Sequence, residues 1–289
     1  MLKKTLIAKT DAEADKSQIY SGKGWRATYI TPRLIRFEAG TFTDLPSVAV
    51  WFRRFESGNM KTEEKGSVIT IETDEAVFTV KNLRPYSVYF KDTKRTEIFA
   101  KQKNLNGTCR TLDMTNGHAK LGDGFITENG AYLFDDSDSL LIDENGRFVK
   151  REDGGKDFYL FAYGKNYRET INAFYNISSR VPMIPRFALG VWWSRYHAYT
   201  QQEYLDLMLR FKAEGIPLTV ATVDMDWHWV KIKDKFGLKY NGWTGYSWNT
   251  DLFPDYKAFL RELHEMNLSV TLNLHPADGF REYEDMYED

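Results

Sequence analysis

Residues 220–229, VATVDMDWHW, form an apolar β run that ends in two acids and an aromatic cluster. A β-strand repeats every two residues, so Asp224 and Asp226 are expected to leave the same face. Two carboxylates at the end of a buried strand are costly unless water, hydrogen bonds or a ligand receive them. In a parallel α/β barrel the C-terminal strand ends are where substrate sits. Two readings stand. The acids hold a polar ligand, or one caps the next segment while the other makes a salt bridge.

A second strand end carries similar chemistry. In residues 268–275, Leu268, Val270, Leu272 and Leu274 share one face, and Ser269, Thr271, Asn273 and His275 share the other. With the aliphatic face against helices, Asn273 and His275 point into the mouth beside Asp224. A metal centre is the other use of two acids and two histidines (His228, His275). No HxH or HExxH spacing supports it, so neither metal nor cofactor is expected. Between the two strand ends lies a long aromatic segment, 231–253, containing GWTGYSWN. Connections of this length are usually functional. Trp243, Tyr246 and Trp248 suit a lid over the site or a docking surface on the preceding domain.

The elements that must position these residues follow from periodicity. Residues 187–193 are predicted as a strand. A helix is predicted over 200–214, opened by a Thr200/Glu203 capping box and stopped at Gly215. A strand follows over 218–223, then a helix over 255–266 and a third strand over 268–274. Strands alternating with amphipathic helices predict a parallel sheet with right-handed crossovers.

Residues 20–165 read differently. Short runs at 25–37, 48–55, 68–73, 77–80, 87–90, 96–100, 132–134, 140–142 and 158–162 are separated by turn chemistry such as Asn106-Gly107, Asn129-Gly130 and Asn145-Gly146. Strands at this spacing without helices predict an antiparallel sandwich. The acidic run at 135–138 is expected to be a solvated turn. The domain plan is therefore an antiparallel β-sandwich over 1–165, a helical linker over 166–184, and the first three βα units of a barrel over 185–289.

Composition narrows the function classes. A net charge of −2 gives no electrostatic case for nucleic acid or an anionic membrane. Aromatics make up 15 % of the chain, with 8 Trp, which suits either a large core or stacking against sugar faces. Cys109 is the single cysteine, so no intramolecular disulfide forms. The opening residues lack the apolar core of a signal peptide, and a cytoplasmic location is expected.

Four segments in order and spacing resemble glycoside hydrolase family 31, the α-glucosidase and α-xylosidase family: PRFALGVWWSRYHAY (185–199), GIPLTVATVDMDWH (215–228), GWTGYSWNTDLFPD (242–255) and LNLHPADG (272–279). In the first half, NLNGTCRTLD (104–113) and GDGFITENGAYLFDDS (122–137) resemble its N-terminal sandwich. The resemblance implies a galactose-mutarotase-like β-sandwich followed by the first part of a (β/α)8 barrel, and a retaining α-glycosidase acting on terminal α-linked sugars of oligosaccharides. It implies that Asp224 hydrogen-bonds sugar hydroxyls in the −1 subsite and that Met225 lines that subsite. It places Trp192, Arg195 and Tyr196 near the same pocket, and Asn129 on a sandwich loop toward the leaving group. Many relatives read Asp-Pro where this chain has His275-Pro276, a departure in the polar floor of the pocket.

The family's nucleophile and acid/base are aspartates on later barrel strands, so no catalytic residue is expected before Asp289 and the chain alone is expected to be inactive. Asp224 and Asp226 do not form the pair, because they leave one strand and nothing opposes them. Two alternatives stand beside this reading: a truncated carbohydrate-binding or structural module without catalysis, or a related enzyme specific for α-galactosides, α-xylosides or amino sugars. An open sheet edge also leaves self-association as an option.

Overall fold

A computed structural model describes residues 7–109 and 111–288. The chain divides into two units, residues 1–181 and 182–289.

The first unit runs β1 (Ile19–Gly22), β2 (Trp25–Thr31), β3 (Leu34–Ala39), β4 (Met60–Lys65), β5 (Val68–Thr73), β6 (Ala76–Lys81), β7 (Arg84–Phe90), β8 (Arg95–Ile98), β9 (Ala131–Asp135), β10 (Leu141–Ile142), β11 (Phe148–Val149), β12 (Lys156–Ala162) and α1 (Tyr167–Ile177). One five-stranded sheet has the order β1-β2-β3-β12-β9 and the other β4-β5-β6-β7-β8. All pairings within both are antiparallel. Alternate residues of each sheet meet in one core: Trp25, Ala27, Ile35, Phe37, Phe158 and Leu160 pack with Ile69, Ile71, Phe78, Val80, Val88 and Phe90. This is the sandwich that the turn-separated runs predict.

The outer face of the first sheet builds a second core. Ala173 and Ile177 of α1 pack there with Ile30, Leu34, Val50, Tyr159 and Phe161. The helix expected as a linker is thus part of the first unit's packing. The run 48–55 is not a ladder strand. Its Trp51 and Phe52 N–H groups donate to the Ile177 carbonyl at the C-terminal end of α1, at 2.8 and 2.9 Å, so its polar backbone is satisfied by a helix end. The acidic run is not a solvated turn either. Asp136 is fully buried and paired with Arg151 at 2.9 Å. Arg151 also reaches Asp157, which pairs with the fully buried Arg36 at 2.7 Å.

The second unit contains β13 (Val191–Arg195), α2 (Gln201–Ala213), β14 (Leu218–Val223), the short α3 (Ile232–Phe236), α4 (Tyr256–Glu265) and β15 (Ser269–Leu272). Its sheet order is β13-β14-β15, parallel throughout. Residues 187–189 belong to a 3-10 turn, Arg186–Leu189, so the first strand starts later than predicted. The third strand ends at Leu272, and Leu274 is exposed rather than packed on helices.

Local chemistry fixes the helices. Thr200 and Glu203 make the capping box, with Glu203 accepting from the Thr200 N–H at 2.8 Å. Gly215, at φ +71, provides the left-handed stop. Asp255 caps α4 by accepting from Ala258 N–H at 2.9 Å. Tyr204, Leu205 and Met208 of α2 and Phe259 and Leu263 of α4 bury against Trp193, Ala221, Val223, Val270 and Leu272. The opposite sheet face carries Trp192, Thr222 and Thr271. The Thr222 and Thr271 hydroxyls meet at 2.8 Å.

Candidate functional site

Strand β14 stops at Val223, and the chain turns at once. Asp224 caps a single 3-10 turn, Met225–Trp227, and its Oδ1 accepts from the Met225 N–H at 2.7 Å. The expectation that Asp224 and Asp226 share a face fails here, because the two-residue period ends with the strand. Asp224 lines one cavity. Asp226 lines another, with Ala198, Trp229, Lys231 and Asp251. Burial and then the neighbouring Asp224 charge raise the Asp226 carboxyl above its usual range.

The cavity on Asp224 has a volume of about 600 Å³ and is lined by Tyr196, Asp224, Met225, Val230, Asn241, Gly242, Trp243, Asn273 and His275. It lies at the C-terminal ends of the three parallel strands. The tie between the second and third strand ends is direct: Asn273 N–H donates to the Val223 carbonyl at 3.0 Å, and Trp227 Nε1 donates to the Asn273 carbonyl at 2.7 Å.

The long segment after β14 forms the remaining wall. Gly242 N–H donates to the Val230 carbonyl and Asn249 N–H to the Trp227 carbonyl, both at 2.8 Å. The Thr244 hydroxyl donates to the His275 carbonyl and accepts from Ala277 N–H at 3.1 Å. Both oxygens of the buried Glu284 accept from Tyr246 N–H, each at 3.1 Å. The Trp243 indole packs on the His275 ring with centroids 4.2 Å apart. The loop is thus pinned within its own unit, with Trp243 half exposed at the cavity.

Of the residues singled out in the sequence, Asp224, Met225, Tyr196 and His275 come together here. Trp192 and Arg195 do not line the cavity. Trp192 pairs in register with Val220 and donates its Nε1 to the Ala188 carbonyl at 3.1 Å. Arg195 pairs with Val223, on the face that carries Trp193 to the helices. Asn129 belongs to the first unit, where its side chain reaches Glu97 at 3.3 Å in a cleft with Arg33, Asp92 and Tyr163. Val230, Asn241 and Gly242 were not singled out in the sequence. The only signal for Asn241 and Gly242 was membership in the long loop, and Val230 precedes it.

The cavity offers hydroxyl, carboxylate, amide and imidazole groups interleaved with the apolar Met225, Val230 and Trp243. That combination hydrogen-bonds hydroxyls and packs against C–H faces, as a sugar ring requires. Among the described residues Asp224 is the one carboxylate in its lining. No group of three or more His, Cys, Asp or Glu among them is disposed to hold a metal ion, and none of their helices is long and apolar enough to cross a membrane.

Residues 181–289 match the family model for the glycosyl hydrolases family 31 TIM-barrel domain. An alpha-xylosidase of Saccharolobus solfataricus is 26 % identical over 180 residues, covering 61 % of this chain and 23 % of that protein. Alpha-glucosidase 2 of Bacillus thermoamyloliquefaciens is 27 % identical over 126 residues, covering 44 % of this chain and 14 % of that one. The chain therefore spans less than a quarter of either relative. Among solved structures, a Flavobacterium johnsoniae GH31 dextranase complexed with glucose superposes with a TM-score of 0.57 at 14 % identity, over 87 % of this chain and 36 % of its own. A GH31 alpha-xylosidase from a soil metagenome, complexed with xylose, gives 0.54 at 14 % identity over 89 % and 46 %. These likenesses support the fold. Over residues 181–289, the chain is thus similar to the TIM-barrel domain of the glycosyl hydrolases family 31.

Proposed function

We propose that this chain supplies the sugar-holding wall of a retaining α-glycosidase that removes terminal α-linked glucose or xylose from oligosaccharides. The second unit is then the first part of a (β/α)8 barrel, and the Asp224 cavity is one side of its −1 subsite. The observation that carries this reading is the convergence of Asp224, Met225, Asn273 and His275 at adjacent parallel strand ends, with Trp243 packed on the His275 ring.

Asp224 accepts from sugar hydroxyls through the carboxylate oxygen that Met225 N–H leaves free. Met225, Val230 and Trp243 pack on the ring's C–H faces, and Asn241, Asn273 and His275 meet the remaining hydroxyls. A retaining mechanism needs two carboxyl groups about 5–5.5 Å apart across the scissile bond, one as nucleophile and one as acid/base. Asp224 fills neither role. The pair is carried on further barrel strands outside residues 1–289, and the chain alone binds sugar without turning it over. Trp192, Arg195 and Asn129 are not among this cavity's lining residues and carry no part of this reading.

The test is to read the frame downstream of Asp289, express the extended protein and assay it on aryl α-glucoside, α-xyloside and α-galactoside. The expected result is hydrolysis by the extended protein, none by the 289-residue chain, and loss of most kcat/KM in Asp224→Ala. A frame without strand-end aspartates, turnover by the short chain, or an Asp224→Ala variant with full activity would each overturn the reading.

A further inference from the structure

The cavity wall contributed by residues 241–248 is wrapped around one side chain that never reaches the cavity. His228 is fully buried. Its Nδ1 faces the Trp229 carbonyl at 3.2 Å, and its Nε2 is buried without a partner. Gly245 lies directly on the ring: a Cβ there would fall 2.4 Å from Nδ1 and 2.8 Å from the adjacent ring carbon. The His228 backbone also bridges to Trp248, and Trp227 packs edge-on against the imidazole at 5.3 Å. The loop therefore closes over the ring with glycine as the one residue that fits. It then delivers Trp243 and Thr244 to His275, two and one residues before that contact.

We infer that His228 is a positioning residue for the sugar cavity: its buried ring is the post on which the 241–248 loop is seated, and the ring–Gly245 contact sets where Trp243 stands. The inference rests on the cavity reading above, but it concerns the loop and is measured without sugar, so the two fail separately. Burial lowers the His228 pKa against the opposing influence of the Trp229 carbonyl, Glu284 and Asp226, with His275 acting in the same direction as burial. The post is therefore a neutral imidazole at neutral pH, with Nδ1–H donating to Trp229.

The contact predicts a specific non-additivity. Gly245→Ala forces a methyl group into the ring. His228→Ala removes the ring and leaves room for that methyl. Amide exchange at Gly242 and Asn249, whose hydrogen bonds tie the loop to Val230 and Trp227, reports seating. Exchange in the 289-residue chain should quicken by about tenfold in each single variant, while the double variant stays within about twofold of His228→Ala. Amides of β14 should not change in any of them. The indole N–H resonance of Trp243, assigned by its absence in Trp243→Phe, should shift in each single variant as the ring leaves His275. Multiplying effects, near a hundredfold in the double variant, would mean that the two residues act independently and would overturn the inference. So would a His228→Ala chain with an unmoved Trp243 resonance. If that variant fails to fold, Gly245→Ala alone decides: unchanged exchange and resonance would refute the contact.

Discussion

The imidazole of His275 packs against the indole of Trp243 with centroids 4.2 Å apart and planes inclined by 40°. One residue follows the third strand and the other sits in the loop after the second. The contact joins a strand-end polar group to an apolar wall, which gives the cavity both kinds of surface. Trp243→Ala should weaken methyl α-glucoside binding by about two- to tenfold, the worth of one aromatic contact at roughly 0.5–1.5 kcal/mol. Trp243→Phe should keep most of the affinity. Titration by calorimetry checks both, and equal losses in the two variants would argue against a packing role.

Asp226 is predicted to act through stability. Its carboxyl is raised by burial and by Asp224, so the folded state disfavours the charged form. That penalty is present above the raised pKa and vanishes below the ordinary carboxylate range. Asp226→Asn should therefore raise the Tm near pH 7, with a gain that shrinks toward zero as the pH falls below about 4. Sugar binding should not change. A loss of stability at pH 7 would contradict the assignment.

Arg36 and Asp157 form a buried ion pair of the sandwich, at 2.7 Å. Burial pushes the Asp157 carboxyl up, but Arg36, Arg53 and Arg151 outweigh it and hold the pKa at about 2. A depressed carboxylate stabilises the fold above its unfolded pKa and loses that contribution as pH falls toward the folded value. Asp157→Asn should cost about 1.5–3 kcal/mol at neutral pH, the worth of a charged hydrogen bond, since Arg36 keeps Glu38 at 3.0 Å as its second carboxylate. The difference from the unsubstituted chain should narrow between about pH 4 and pH 2. Denaturant melts at a series of pH values measure it, and a pH-independent difference would rule out the pair as its source.

Much of this architecture was legible in the residues. The Thr200/Glu203 box, Gly215 and the apolar periods of α2 and α4 announced the parallel unit, because local capping and one buried face decided those elements. What tertiary contacts decided was hidden. β4, MKTEEK, has almost no apolar alternation and pairs as an edge strand through its backbone. Residues 48–55 look like a strand, but the Trp51 and Phe52 N–H groups go to a helix end. The site divided in the same way. Asp224, Met225 and His275 were visible as strand-end groups. The separation of Asp226 depended on where β14 stopped, which periodicity does not reveal. Asn241 and Gly242 face the cavity because the loop folds over His228, a contact between residues more than ten positions apart.

The most direct test of the central claim is equilibrium binding of methyl α-glucoside and methyl α-xyloside to the 289-residue chain, with Asp224→Ala beside it. An open cavity of this kind buries only part of a monosaccharide, so the affinity is expected to be no tighter than about 1 mM. Removing the carboxylate costs a charged hydrogen bond, about 1.5–3 kcal/mol, which takes binding below detection. Saturable millimolar binding by the unsubstituted chain and none by the variant is the expected result. Binding that survives Asp224→Ala unchanged, or no saturable binding by either chain, would contradict it.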